Sequence, residues 1–231
     1  VSERLDEQPG IGRLHERSLH AALKALYARP GDAVEQRIDG LVIDLARADG
    51  ELVEIQTGNF SALKRKLMRL LPAHRVRVVH PVIGEKWIVR IDGGRAVSRR
   101  RSPLRADASA VFRELVYLPD LIAHPNLTLD VLTVRIEQYL ENDGAGSWRR
   151  SGWSIRDTHL LAVLDQAVFE RASDYAVFLP GDLPAPFTAA DLARLGRYDR
   201  RLAGKMVYCL RHIGLIRETG RAGRAIRYER V

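Results

Sequence analysis

Two acids interrupt what otherwise reads as strand core. In LVIDLARADGELVEIQTGNF, positions 41–60, Asp44, Glu54 and Gln56 break apolar sequence on either side of an Asp-Gly turn. A carboxylate buried without a partner is costly, so these side chains either reach water at an edge or hold a cation. Carboxylate and carbonyl oxygens are the ligands that a hard ion such as Mg²⁺ prefers. Such an ion polarises a phosphate and supplies a hydroxide nucleophile near neutral pH. Glu54 and Gln56 are two apart, so on a strand they share one face while Val53 and Ile55 take the other. The backbone carbonyl of Ile55 is available as a further oxygen.

The elements that must position these groups follow from periodicity. Leu19, Leu23, Leu26 and Tyr27 recur at helical spacing, which predicts a helix over 12–28 that Pro30-Gly31 ends. Strands are expected at 34–47 and 51–57, a helix after Ser61 with Leu63, Leu67, Leu70 and Leu71 as its stripe, and strands at 75–82 and 86–92. The order helix, strand, strand, helix, strand, strand predicts an α/β fold with a crossover helix. The turn decides which acid faces Glu54. A three-residue turn, Ala48 to Gly50 with Gly50 left-handed, sets Asp44 opposite Glu54 and is the preferred register. A two-residue turn at Asp49-Gly50 would give that side to Asp39 instead. Glu16 lies on the Leu19–Leu23 stripe and is either a third acid of the same cleft or a helix-end charge favoured by the macrodipole.

An Asp on one strand, followed ten residues later by Glu-x-Gln on its hairpin partner, resembles the PD-(D/E)XK nuclease superfamily over about residues 12–92. The resemblance implies a restriction-endonuclease-like mixed sheet with flanking helices and Mg²⁺- or Mn²⁺-dependent hydrolysis of DNA. Asp44, Glu54, Glu16 and the Ile55 carbonyl would be the metal ligands. Gln56 departs from the usual lysine. Glutamine hydrogen-bonds but carries no charge, so the missing cation is expected from Lys64 or Lys66 on the next helix. Glu54 and Asp44 favour an active nuclease. Gln56 favours the alternative, a non-catalytic DNA-binding or regulatory protein on a degenerate nuclease fold.

The chain has 231 residues and a net charge of +8, an excess that suits a polyanion. It is uneven: residues 1–145 hold 22 basic and 20 acidic residues, net +2, and residues 146–231 hold 15 and 9, net +6. The segment 141–153 reads as a linker between a nuclease-like part at 1–145, with a basic helical extension over about 96–145, and a second part at 154–231. Within the extension, 98–105 reads as a basic loop, 108–118 as helical, and 127–140 as either strand or helix. In the second part a helix is expected at 155–171 on the stripe Leu160, Leu161, Leu164 and Val168. A strand at Tyr175–Pro180, helices at 188–195 and 200–216, and a basic hairpin at 216–231 complete it. That order resembles a winged helix.

The DNA contacts expected from these patterns are Arg99, Arg100 and Arg101 in the basic loop, and Arg149 and Arg150 between Trp148 and Trp153. In the second part they are Arg200, Arg201, Lys205 and Arg211 on a helix, with Arg221, Arg224 and Arg227 on the wing. Winged helices also bind proteins, so a protein partner for this part stays open, and the resemblance admits a homodimer. HERSLH at 15–20 spaces its histidines five apart, unlike the zinc motif. No phosphate-binding loop or dinucleotide fingerprint is present, so no nucleotide cofactor is expected. The one cysteine, Cys209, excludes an internal disulfide. With no apolar run long enough to span a bilayer and no hydrophobic signal core, no membrane association is expected, and the reading is cytoplasmic.

Overall fold

The computed structural model describes residues 18–144, 146 and 152–231. Helix α1 (Ser18–Tyr27) is followed by strands β1 (Ala33–Ile38), β2 (Leu41–Ala46) and β3 (Leu52–Ile55), helix α2 (Phe60–Leu70), and strands β4 (Val76–Asp92) and β5 (Arg95–Arg101). A 3₁₀ turn at Ala108–Val111 leads into α3 (Phe112–Leu115), then come β6 (Leu127–Asn142) and β7 (Trp153–Phe169). These strands form one mixed sheet in the order β1-β2-β3-β4-β6-β7, with β5 also on β4. β3, β4 and β6 are parallel, and the outer pairs are antiparallel. β3 takes the first rows of β4, Val76 to Val79, and β5 takes the last, Trp87 to Asp92.

Two apolar layers cover the sheet. On one face α2 and α3 pack with Leu52, Val76, Val78 and Leu129. On the other, Leu19 and Leu23 of α1 pack on Leu45, Val53, Ile55 and Val79. The alternation along β3 and β4 is the two-residue period of strands buried on both sides. After β7 come a 3₁₀ segment (Ala172–Phe178), β8 (Phe187–Thr188), α4 (Ala189–Leu195), α5 (Arg200–His212), β9 (Ile216–Ala222) and β10 (Ala225–Arg230). β8, β10 and β9 form a second, antiparallel sheet. Leu202, Met206 and Leu210 of α5 share the apolar layer that holds α2 and α3. Thr188 caps α4 in a capping box with Asp191, and Asp199 caps α5.

Several sequence expectations are corrected. Residues 155–171 form strand β7, not a helix. Its pairing with β6 is offset at three irregularities, and each offset shifts the two-residue alternation; the resulting apolar spacing imitates a helical stripe. The ends of the expected linker 141–153 belong to the large sheet, where Asn142 of β6 pairs with Trp153 of β7, and that sheet runs on to Phe169; 145 and 147–151 lie outside the described residues. Its neighbour 127–140, open between strand and helix, is strand, so the basic extension is mostly sheet. Residues 34–47 make two strands, because Asp39 and Gly40, both at positive φ, turn the chain. Residues 75–82 and 86–92 make a single strand that bulges between Ile83 and Glu85. A Cβ at Gly84 would stand 2.6 Å from the Thr133 methyl, so glycine here marks close strand approach, not a break. Ser98 to Arg101 of the expected basic loop belong to β5, and Tyr175 to Phe178 are 3₁₀ where a strand was expected.

Candidate active site

The three-residue turn sets the β2–β3 register. Leu45 pairs with Val53 and Ala46 with Leu52, the Arg47 amide donates to the Glu51 carbonyl at 2.9 Å, and Gly50 sits at φ +84°. The ladder ends at Leu45. One row further, where Asp44 meets Glu54, the Ile55 amide donates to Asp44 Oδ2 at 2.8 Å, so a side chain stands in for a backbone carbonyl. On the other edge, the row Glu35/Asp44 is missing from the β1–β2 ladder and Glu35 has φ +52°. β2 changes face across this row. Ile43 joins the α2 layer, and Leu45 joins the α1 layer with Val53 and Ile55. Ile43, Leu45, Val53 and Ile55 are all buried, but they divide between the two layers.

Each acid is met by bases from a different helix. Asp44 lies 3.4 Å from His20 Nε2 and 3.8 Å from Lys24 Nζ, both on α1. Burial pushes its carboxyl up. The hydrogen bonds from His20 and the Ile55 amide and the charges of His20 and Lys24 outweigh that, and hold it below the ordinary range. Glu54 instead faces α2, where Lys66 Nζ binds its Oε1 and also donates to the Val42 carbonyl at 2.6 Å. Glu54 is 9 % exposed. Desolvation raises its pKa and the charge of Asp44 adds to the shift, while Lys66 and, more weakly, the Asp44 backbone amide oppose it. The two acids thus feel each other across the gap between β2 and β3. Glu54 Oε2 is buried and accepts no hydrogen bond. A buried carboxylate oxygen left over in this way suits a hard cation, but Asp44 and Glu54, expected to face one another, turn to α1 and α2 on opposite faces of the sheet. Among the described residues, no group of three or more His, Cys, Asp and Glu side chains converges as a ready metal cage.

The remaining expected site residues are dispersed. Lys66, not Lys64, reaches Glu54. Asp39 is in the β1–β2 turn and pairs with His74 at 3.0 Å, so it does not replace Asp44. The Gln56 side chain turns back onto the Gly58 carbonyl. Its backbone carbonyl lies 2.7 Å from Nδ1 of buried His80, which stacks edge-on against Phe60. Burial pushes the His80 pKa down, against the partial support of the Gln56 carbonyl. Glu16, Arg149 and Arg150 lie outside the described residues.

Arg99, Arg100 and Arg101 are on β5, exposed along its whole length. Arg99 lies over the Trp87 ring at 4.1 Å and pairs with Glu137 at 2.7 Å, and Arg101 pairs with Glu85 at 2.6 Å. Arg200, Arg201, Arg211, Arg221, Arg224 and Arg227 are all exposed. Lys205 differs, because its Nζ donates to the Arg113 carbonyl at 2.9 Å and so ties α5 to α3.

Sequence reasoning missed a second polar cluster, on the α1 face. Asp130 of β6, 1 % exposed, accepts from Tyr27 Oη at 2.6 Å and from Gln166 Nε2 at 2.9 Å, and lies 3.5 Å from Arg77 Nη1. Burial, then the bond to Asp130, holds the Tyr27 phenol well above its ordinary value. Arg77 Nε reaches Glu51 Oε1 at 3.1 Å, and Arg47 Nη1 holds Glu51 Oε2. The sequence signal was there: Asp130 interrupts LTLDVLTV as Asp44 interrupts LVIDLA.

A family model described as "Domain of unknown function (DUF8091)" matches residues 17–170, and so includes both polar clusters and all of the large sheet. The chain is also similar to an uncharacterized protein of Treponema pallidum (strain Nichols), 33 % identical over 187 residues, which is 80 % of this chain and 74 % of the relative. No solved structure matches.

Proposed function

The chain belongs to the DUF8091 family, and we propose that it is a metal-dependent nuclease that hydrolyses phosphodiester bonds in DNA. The observation that carries the reading is Glu54: a buried acid with one oxygen on a lysine, the other unsatisfied, and a second acid across an open strand pair. The order α1-β1-β2-β3-α2-β4, with an antiparallel β1-β2-β3 meander and β4 parallel to β3, agrees with a PD-(D/E)XK-like core.

Glu54, Asp44 and the Ile55 carbonyl would hold Mg²⁺ or Mn²⁺, which when bound supplies phosphate polarisation and an activated water. Lys66 takes the part that Gln56 cannot. Its ammonium sits on the Glu54 carboxylate from the next helix and provides the positive charge that a phosphate needs nearby. His80 and the Gly58 carbonyl fix the backbone and side chain of Gln56 and hold the end of β3 in place. The order β8-α4-α5-β9-β10, with β8 on β10, agrees with a winged helix, and its exposed arginines together with those of β5 would grip the DNA backbone.

Non-catalytic DNA binding is the second reading. It is favoured by the division of the two acids between helix layers and by Gln56 turning onto Gly58. Calorimetric titration with Mn²⁺ separates the two. The nuclease reading expects saturable binding by the wild type that Glu54→Gln removes. Indifference of both proteins to Mn²⁺ and Mg²⁺ favours the non-catalytic reading.

A further inference from the structure

The second polar cluster borders a cavity of about 470 Å³ on the α1 face, lined by Tyr27, Arg47, Arg77 and Asp130 on its polar side and by Leu132 and Val163 on its apolar side. This is within the size range of small-molecule sites. The cavity stands beside the turn of the β2–β3 hairpin, three residues from Asp44 and Glu54 along the strands.

Arg47 is the informative residue. Its side chain is 6 % exposed, its Nη1 is taken by Glu51, and its Nε is buried with no hydrogen-bond partner. A buried guanidinium N–H without an acceptor is costly, and Arg presents its N–H groups as a fork that matches the oxygens of a carboxylate or phosphate. The acids already present are spent. Asp130 is held by Tyr27, Gln166 and Arg77, and Glu51 by Arg47 and Arg77. Of the charged groups that line the wall, three are guanidiniums, Arg29, Arg47 and Arg77, and one is a carboxylate, Asp130, while Glu51 and Asp49, which are outside the lining, offset part of the positive charge.

We propose that this cavity binds a small organic oxyanion, with its phosphate or carboxylate head on Arg47 and its apolar body against Leu132 and Val163. The site is independent of the nuclease reading, since none of the groups assigned to metal or phosphate chemistry lines it.

The test is thermal-shift and calorimetric titration of the full chain with phenyl phosphate, benzoate and inorganic phosphate up to about 10 mM, the weak end of specific affinity. Phenyl phosphate or benzoate should bind, whichever head the site prefers, and bind more tightly than inorganic phosphate. Arg47→Lys keeps the charge but loses the planar fork of the guanidinium, and should weaken binding about tenfold or more. Val163→Trp fills the cavity from a part-exposed strand position without touching a charge, and should abolish binding while leaving the melting temperature of the free protein near wild type. Failure of both organic probes to bind the wild type overturns the proposal. Binding unchanged by Val163→Trp overturns it too, and this second variant decides the matter if Arg47→Lys does not fold.

Discussion

The β2–β3 hairpin carries buried acids at both ends, and the two ends treat them in opposite ways. Near the turn, Glu51 is clamped by Arg47 and Arg77, and Arg77 also reaches Asp130. Both oxygens of Glu51 and both of Asp130 have partners. Three residues further on, the ladder opens and Asp44 takes a backbone amide. Glu54 keeps an oxygen with no partner, and burial raises its pKa. At the turn the acids are satisfied and a base is left wanting; at the open end an acid is. A buried acid in a strand is therefore ambiguous by itself. What distinguishes a structural network from a reactive site is which group is left unsatisfied and whether the strands around it stay paired.

The comparison breaks most visibly at the structural end. Asp130→Leu should strand Tyr27, Gln166 and one edge of Arg77, and cost about 3–5 kcal/mol of stability, as for other broken buried pairs. Chemical unfolding measures this. A loss within error of zero would mean that the network is solvated and not holding the sheet. At the open end, Lys66→Met strands the Glu54 carboxylate and the Val42 carbonyl and should cost about 1–3 kcal/mol of stability, while DNA binding by the folded protein stays close to wild type and cleavage falls about a hundredfold, the scale for removing one charged group aimed at the reacting phosphate. Gln56→Lys in the same protein should restore part of the loss by returning a cation from the strand. Equal cleavage with and without Lys66 would remove it from the site.

Much of this was legible in the chain, and the failures have physical reasons. Gly50 after Ala48-Asp49 made the three-residue turn readable, and with it the register that sets Asp44 beside the Glu54-Ile55 pair. The face change at Asp44 was not readable, because it comes from an unpaired row and a positive φ at Glu35, and glutamate carries no local signal for either. Three pairing irregularities hid β7 behind an apparent helical stripe. Lys64 and Lys66 were equally reachable in the sequence. Only the rotation of α2, fixed by Leu63, Leu67 and Leu70 in the core, chooses between them. Asp130 and Arg77 lie in different strands, and their pairing depends on the parallel β4–β6 alignment, which no local pattern specifies.

Smaller effects sharpen the picture. His80 has its pKa lowered by burial, so the unfolded chain takes up a proton before the folded one does. The stability that this gives is fully present above the ordinary imidazole value of about 6.5 and is lost as pH falls through the lower folded value. Unfolding midpoints of wild type should drop on acidification through this window more than those of His80→Gln. Parallel pH profiles would show that the ring is already solvated. The smallest effect is expected on β5. Replacing Arg99, Arg100 and Arg101 by Ala should leave the melting temperature nearly unchanged, since their ion pairs are surface pairs. It should flatten the salt dependence of DNA binding by about 0.9 log units per lost phosphate contact. An unaltered slope would place the DNA elsewhere.

The central claim is that Asp44, Glu54 and Lys66 form a working hydrolytic site, and nicking of supercoiled plasmid in Mg²⁺ or Mn²⁺ tests it most directly. Wild type should convert plasmid to the open-circular form, chelation should stop it, and Glu54→Gln should be inert while still folded and still bound to DNA. Cleavage that persists in Glu54→Gln, or no cleavage by wild type with either metal over a panel of duplex, single-stranded and branched DNA, would contradict the account.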